Sequence, residues 1–425
     1  MKATRDEDAV RDAGSNQHLV KGLLGFPTFD DLRSSDFYRE HEGELTRLLR
    51  EPKVYACEGA RPRLGAFLRV VEWNIERGTQ FEGIVEVLNN HAVIRHADLL
   101  LLNELDDGMV RSGNRNVARE LGRAISAHAI YGAEYLEMTK GVGAELDLAG
   151  ENTAALHGNA ILTRHPFSNP KVVPLPRCED NFGAQEKRLG GRVGILTRVD
   201  ICGQTLTAAT MHLDVVNTPR CRGRQMRAML EAVDSYVGEA VGGRPASARV
   251  IIGGDLNTHT FARGNRLRAM RNAAVILGTP RARLVRRLLT PERREPAVKA
   301  FARFGYETRR LNDGSATARS LVSGLSDAKG LPRPLRWWAN RRIGPEGLLL
   351  EPRLDWMAAR GLRALRAGEV TDPRTGVTSI DARTFAGLTR DGVALSDHDP
   401  IVVDIDIYEM SKWERGTTNR EGIDA

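Results

Sequence analysis

Two periods of apolar and polar residues interleave along this chain. Segments that are apolar throughout, or that alternate with period two, predict strands at Phe67–Asn74 (FLRVVEWN), Ala97–Glu104 (ADLLLLNE), Leu156–Pro166 (LHGNAILTRHP), Gly191–Asp200, Gln204–Asp214 (QTLTAATMHLD), Val250–Thr258 (VIIGGDLNT) and Val393–Ile407 (VALSDHDPIVVDIDI). Leu354–Met357 adds a short apolar element, and Cys202-Gly203 between two of the strands marks a hairpin. Helical spacing occurs at Phe81, Ile84, Val85 and Leu88, over Asn114–Ile125 and over Arg220–Tyr236. Upstream, Asp30–Leu49 forms one or two amphipathic helices with Ser or Asp caps, so residues 1–65 read as a helical extension.

The predicted strands share a property: they end on polar residues. Val250, Ile251 and Ile252 lead through Gly253-Gly254, read as a sharp turn, to Asp255 and Asn257. An acid and an amide two residues apart at a strand mouth suit the holding of a water or a phosphate oxygen, although ordinary turns use the same residues. Phe67–Asn74 ends on Asn74, with Glu76 just beyond. The strand over Ala97–Glu104 stops on Glu104, and a carboxylate at that depth needs a partner or a cation. Asp106 and Asp107 make the corner more acidic; a salt bridge or a helix cap is the alternative role for Glu104. Asn159 and Arg164 mark the two ends of the strand within Leu156–Pro166, and His212 follows TLTAATM, where a core histidine is the commoner arrangement. Asp355 lies on the short element, and Asp397 and His398 adjoin one another ahead of Pro400. Hard oxygen donors suit Mg²⁺, with Mn²⁺ as a substitute, rather than zinc. No nucleophilic Ser or Cys stands at a comparable position, so phosphodiester or phosphomonoester hydrolysis follows as the reaction class.

With 425 residues, 41% of them hydrophobic, the chain suits one large domain with appendages or two ordinary ones. Its N-terminus is polar and no apolar run approaches the roughly 18 residues of a membrane span, so a cytoplasmic location is expected. Cys57, Cys178, Cys202 and Cys221 lack CxxC spacing and are expected as free thiols. The net charge of +7 is segregated: residues 261–342 hold 20 Lys and Arg against five Asp and Glu, an excess of +15, which leaves −8 elsewhere. Such a block implies an anionic partner, whether nucleic acid, an anionic membrane surface or a multiply phosphorylated small molecule, unless it is only a solvated Arg-rich helical surface. Within it, residues 262–277, 280–289 and 296–304 read as helical. Trp337 and Trp338 beside arginines suit stacking on bases, a lipid interface or a core contact that docks the segment. Nothing points to a protein partner.

Taken in order, WNIE, NE, GNAILTRHP, HLD, GGDLN, LDW and SDHDP resemble the motifs of the endonuclease/exonuclease/phosphatase superfamily, which includes deoxyribonuclease-I-like enzymes, abasic-site endonucleases, sphingomyelinases and inositol polyphosphate 5-phosphatases. The resemblance covers about residues 66–408, interrupted by the basic segment at about 261–342, and leaves a polar tail at 409–425. It implies an α+β fold, a four-layer α/β/β/α sandwich (deoxyribonuclease-I-like) with a basic, largely helical insertion and the site at one end. By the same resemblance Glu104 is the principal Mg²⁺ ligand, with Asn74 beside it and Glu76 or Asp397 completing the acidic cluster. Asp255 orients and deprotonates the attacking water, and Asn257 holds it or the phosphate. His212 and His398 donate to phosphate oxygens, with Asp355 keeping His398 oriented and protonated. Asn159 and Arg164 are candidates for substrate binding.

Two departures stand out. The second motif has Asn103 where many relatives have Gln, and about 95 residues separate GGDLN from LDW, consistent with an inserted subdomain that carries substrate choice. Motifs that would assign the chain to the abasic-site or inositol phosphatase branches are missing. The expected activity is a Mg²⁺-dependent phosphodiesterase, with nucleic acid ahead of a phospholipid or a small phosphorylated metabolite. A catalytically silent nucleic-acid or membrane binding module is the competing class; the presence of Asp255, Asn257, Asp355 and His398 together argues against it.

Overall fold

Two sheets stack because each offers the other a largely apolar face. The computed structural model describes residues 15–178, 180–184, 186–241, 248–261, 266–322, 334, 337 and 348–407. With strands numbered along the chain, the first sheet holds Lys53–Tyr55 (β1), Phe67–Arg77 (β2), Leu99–Asp107 (β3), His128–Glu137 (β4), Leu156–Thr163 (β5), Arg188–Gly190 (β7), Arg383–Thr384 (β14) and Ile401–Asp406 (β17). Its order is β1-β4-β5-β3-β2-β17-β14, with β7 on β4, and among the described residues only the β2–β3 pair of this sheet is parallel. The second sheet holds Phe167–Pro174 (β6), Val193–Ile201 (β8), Gln204–Met211 (β9), Val250–Asp255 (β10) and Asp355–Arg360 (β13), in the order β13-β10-β9-β8-β6 with β9–β10 parallel. Two short pairs stand apart: Ser320–Val322 (β11) with Leu348–Leu350 (β12), and Thr389–Arg390 (β15) with Val393–Ala394 (β16). Leu68, Val70, Leu99 and Leu101 of the first sheet share one buried cluster with Ile195, Leu206, Ile251 and Met357 of the second.

Helices cover both outer faces. Gln17–Leu24 (α1), Phe29–Ser34 (α2), Asp36–Arg50 (α3), Phe81–Asn90 (α4) and Val117–Ile125 (α5) lie on the first sheet, where Leu19, Leu23 and Leu32 are wholly buried in the same cluster as Leu100, Leu102 and Tyr131. The N-terminal segment is therefore built into this layer, and its strand β1 extends the sheet through β4. Pro219–Val241 (α6) covers the second sheet, together with a helix from the basic segment. That segment supplies Arg266–Gly278 (α7), Arg281–Leu289 (α8) and Pro296–Arg303 (α9). Ala297 and Phe301 of α9 join Met229, Leu230 and Val233 of α6 in one buried cluster, which completes a four-layer α/β/β/α sandwich. From 304 to 319 the described chain is not helical. Trp337 is largely exposed, while Trp338 lies outside the described residues.

Two expectations are corrected here. Cys178 and Cys221, read as free thiols, form a disulfide, whereas Cys57 and Cys202 are free. Only the fold brings the loop after β6 to the first turn of α6, across 43 residues of sequence, so no local spacing signals the bond. Gly253-Gly254, read as a turn, lie inside β10. A Cβ on Gly253 would sit 2.9 Å from Glu72 Cγ and Leu101 Cδ1 of the facing sheet, and one on Gly254 would collide with the Met211 carbonyl oxygen of β9. The glycines allow a close approach of backbones, not a change of direction. Gly254→Ala is thus expected to cost about 1–3 kcal/mol by overpacking, read from the urea midpoint; an unchanged midpoint would show that the sheets can part there.

Candidate active site

Strand ends from both sheets meet at one edge of the sandwich. β2 and β3 run parallel and finish there, with Asn74 opposite Asn103, while Asp255 at the end of β10 pairs with Asp355 at the start of β13. Two irregularities aim the acidic side chains. The β2–β3 register shifts between Asn74 and Arg77, and the β3–β5 register shifts between Leu102 and Leu105. Glu76, Glu104 and Asn257 take left-handed backbone, with φ of 46°, 55° and 49°. Bulges re-aim side chains, and non-glycine residues hold positive φ only where surrounding structure enforces it.

Asp255 is the hub. Its Oδ1 accepts the Asn257 N–H at 2.8 Å, and its own N–H donates to Asn103 Oδ1 at 2.9 Å. Its Oδ2 lies 3.2 Å from Asn74 Nδ2, 3.3 Å from His212 Nε2 and 3.8 Å from His398 Nε2. Asn74 Nδ2 also donates to Glu104 Oε1 at 3.1 Å, and Asn257 Nδ2 donates to the Leu213 carbonyl. His398 Nδ1 is 2.7 Å from Asp355 Oδ2, which also accepts from Thr317 Oγ1 at 2.6 Å. Glu76 Oε2 accepts the Asp397 N–H at 3.1 Å, which ties the last strand's approach to β2.

The two histidines differ in charge. Burial opposes protonation of His398, but Asp355 and Asp255 outweigh it and hold the imidazole well above its ordinary pKa. Burial and the adjacent Arg192 guanidinium push His212 well below its own. Arg192 Nη1 donates to His212 Nδ1 at 2.8 Å, so a neutral His212 carries its proton on Nε2, facing Asp255. His212 thus has an arginine on Nδ1 where His398 has a carboxylate. Glu134 in turn accepts from Arg192 at 2.7 Å and from Asn159 Nδ2 at 3.0 Å.

Among the carboxylates, burial raises Asp255, with Asp355 adding to it, to about 7. Burial and Asp397 raise Glu76; burial also raises Asp397, against the pull of His398. Burial opposes the charge on Glu104, yet His212 and His157 bring its carboxyl below the usual range. Glu72, beneath the site, is pushed well above that range by burial and then by Asp355 and Asp255; among the described residues its oxygens have no hydrogen-bond partner. Crowded acids of this kind fit a divalent cation. One ligand atom each from Glu104, His212 and Asp255 lies within 4.8 Å of the others, as do those of Asp255, Asp355 and His398. Glu76 and Asp397 add further hard oxygen donors of the kind that divalent cations take.

The structure thus gathers Asn74, Glu76, Glu104, His212, Asp255, Asn257, Asp355, Asp397 and His398. Two candidates sit elsewhere. Asn159 is buried behind the site, accepting from Asn103 and donating to Glu134 and the Val193 carbonyl. Arg164, expected at the substrate, is buried past the far end of β5, where it donates to the Ala97 and Ile125 carbonyls. Asp106 and Asp107 are neutralised by Arg111 and Lys53, and α5 is capped by Asn116, not by Glu104. Residues that sequence reasoning missed are Glu134, Arg192 and Thr317, and Asn103 was noted only as a departure. Nothing local marks the first three, because each acts through a contact with a distant strand.

A model of the Endonuclease/Exonuclease/phosphatase family matches residues 71–398. The chain belongs to this family. This makes it a phosphoric ester hydrolase. Among solved structures the enzyme is similar to an endonuclease/exonuclease/phosphatase from Beutenbergia cavernae, at 16% identity over 80% of this chain and 72% of that one, with a TM-score of 0.45. It is similar also to the catalytic domain of human Nocturnin with bound sulfate, at 14% identity over 84% and 97% of the two chains and a TM-score of 0.44. A third likeness is to D. rerio TDP2 complexed with single-strand DNA product, at 16% identity over 80% and 99% and a TM-score of 0.41. No curated protein gives a significant match. The family assignment rests on the matched family model.

With Asp255 as base and His398 as donor, kcat/KM is expected to climb as pH rises through the pKa of Asp255, about 7 before a cation binds, and to fall as pH rises through the raised pKa of His398. In Asp355→Asn the falling limb is expected to move about 1–3 pH units toward acid, measured on bis(p-nitrophenyl) phosphate. A falling limb that stays in place would remove His398 as the donor.

Proposed function

We propose that the enzyme is a Mg²⁺-dependent phosphodiesterase that cleaves nucleic acid. The observation that carries this reading is the convergence on Asp255 Oδ2 of Asn74, His212 and His398, from strands of both sheets, beside Glu104. Glu104 would hold the cation, with Glu76, Asp397 and Asn74 around it. When bound, the cation supplies Lewis-acid stabilisation of charge on the phosphoryl oxygens. Asp255, with one oxygen and its N–H already fixed, offers Oδ2 to a water and takes its proton. Asn257 orients that water or the phosphate. His398, kept charged by Asp355, donates to a phosphoryl oxygen, and His212 adds a neutral N–H donor whose orientation Arg192 fixes.

The basic segment supports nucleic acid as the substrate. Leu284 and Leu288 of α8 are buried, whereas Arg283 and Arg286 on its other face and Arg281 at its start are exposed, and Arg293 and Arg294 extend the exposed charge beyond the helix. Arginine forks suit phosphate oxygens spaced along a backbone. The expected outcome is nicking of supercoiled plasmid in Mg²⁺ that falls about 10²–10⁴-fold in Asp255→Asn and weakens steeply as salt rises. Wild type that spares every nucleic acid while hydrolysing phospholipid or small phosphoesters would move the substrate to that class. An Asp255→Asn variant as active as wild type would remove the assignment.

A further inference from the structure

The loop that leaves the active site, 256–261, is held in a costly shape. Asn257 has φ of 49° and Thr260 has φ of 66°. For a β-branched residue positive φ is an outlier, costing about 1–3 kcal/mol unless the surroundings impose it. The surroundings here come from the basic segment. Glu295, at the start of α9, accepts the Thr260 N–H at 2.8 Å, while Arg287 of α8 donates to Thr260 Oγ1 at 2.8 Å and to its carbonyl at 3.0 Å. Every polar group of Thr260 is thereby taken by that segment. Arg287 also lies over the Phe261 ring, which packs on Leu284 and Leu288.

Glu295 is itself locked. Both it and Arg222 of α6 are fully buried, and they form a two-toothed pair: Arg222 Nη2 to Glu295 Oε1 at 2.6 Å and Nε to Oε2 at 3.2 Å. The same guanidinium reaches the Phe261 carbonyl at 3.4 Å. α6 and α9 meet so closely there that a Cβ on Gly223 would lie 2.7 Å from Pro296 Cβ. We infer that Arg222 and Glu295 are positioning residues for the Asp255–Asn257 loop, so that the basic segment is part of the catalytic apparatus as well as a carrier of charge. The inference rests on the proposed role of Asp255 and Asn257. A purely structural ion pair would not need to grip the strained β-branched residue of this loop through its backbone N–H. A buried pair of that kind exists elsewhere: Arg69 and Asp404, joined at 2.7 Å, sit toward the other end of β2.

That pair provides the control. Replacing a buried ion pair by apolar residues of similar volume is often neutral in stability, so Arg222→Met with Glu295→Leu is compared with Arg69→Met with Asp404→Leu. Two readouts are taken on the full chain: steady-state hydrolysis of bis(p-nitrophenyl) phosphate and amide exchange over residues 256–261. The expected result is a kcat at least tenfold down, with KM within twofold, and faster exchange in the first variant, against neither change in the second. Arg287→Met, partly exposed and more tolerant of replacement, should show the same direction to a smaller extent if the first variant fails to fold. Unchanged exchange over 256–261 in Arg287→Met and in the folded double variant would overturn the inference. Wild type inert toward every phosphoester would instead fail the proposed reaction, while the exchange readout still decides whether the loop is held.

Discussion

Like charge buried at the junction of two sheets is the constraint on which this molecule depends. Asp255 and Asp355 face each other across a strand pair, Glu104 shares a donor with Asp255, and Glu72 lies beneath them. Carboxylates in such a place repel one another and lose their water, and each must be neutralised by a proton, a cation or a hydrogen-bond donor. Here the means differ from acid to acid. Burial and its neighbours hold Glu72 toward the protonated form, Asp355 has His398 and Thr317, and Asp255 has amides, the His212 imidazole and, at 3.8 Å, that of His398. Asp255 and Glu104 are also the acids on which the proposed reaction depends.

The scaffold makes this tolerable through small residues and irregular backbone. Gly253 and Gly254 let β10 approach the facing sheet and β9 where the acids gather, and bulges in β2 and β3 turn Glu76 and Glu104 to the edge. Regular strands would have sent those side chains to the faces of the sheet, because successive residues alternate. The irregularities therefore belong to the site's function.

Much of this was legible in the sequence for a specific reason. An apolar strand that stops on an acid, as at Glu104 or Asp255, reports burial and a polar end in a single stretch, and the ordered motifs from WNIE to SDHDP then imply the fold. What was not legible depends on residues that meet only after folding. Arg192 reaches His212 across a hairpin, Thr317 reaches Asp355 from a long excursion, and Cys178 meets Cys221 through loop and helix. Arg164 misled because its motif neighbours lead into the site at the opposite end of the same strand. The basic segment showed its charge but not its grip on the loop, since Glu295 is one of only five acids in 82 residues and its partner Arg222 lies outside them.

The central claim is that a divalent cation completes the acidic cluster. Anomalous diffraction from crystals of the enzyme soaked in MnCl₂ tests it most directly. The account predicts a manganese peak bounded by Glu104 and Asn74 with Glu76 or Asp397, absent from Glu104→Gln crystals. A peak unaffected by that substitution, or none within the cluster, would contradict it.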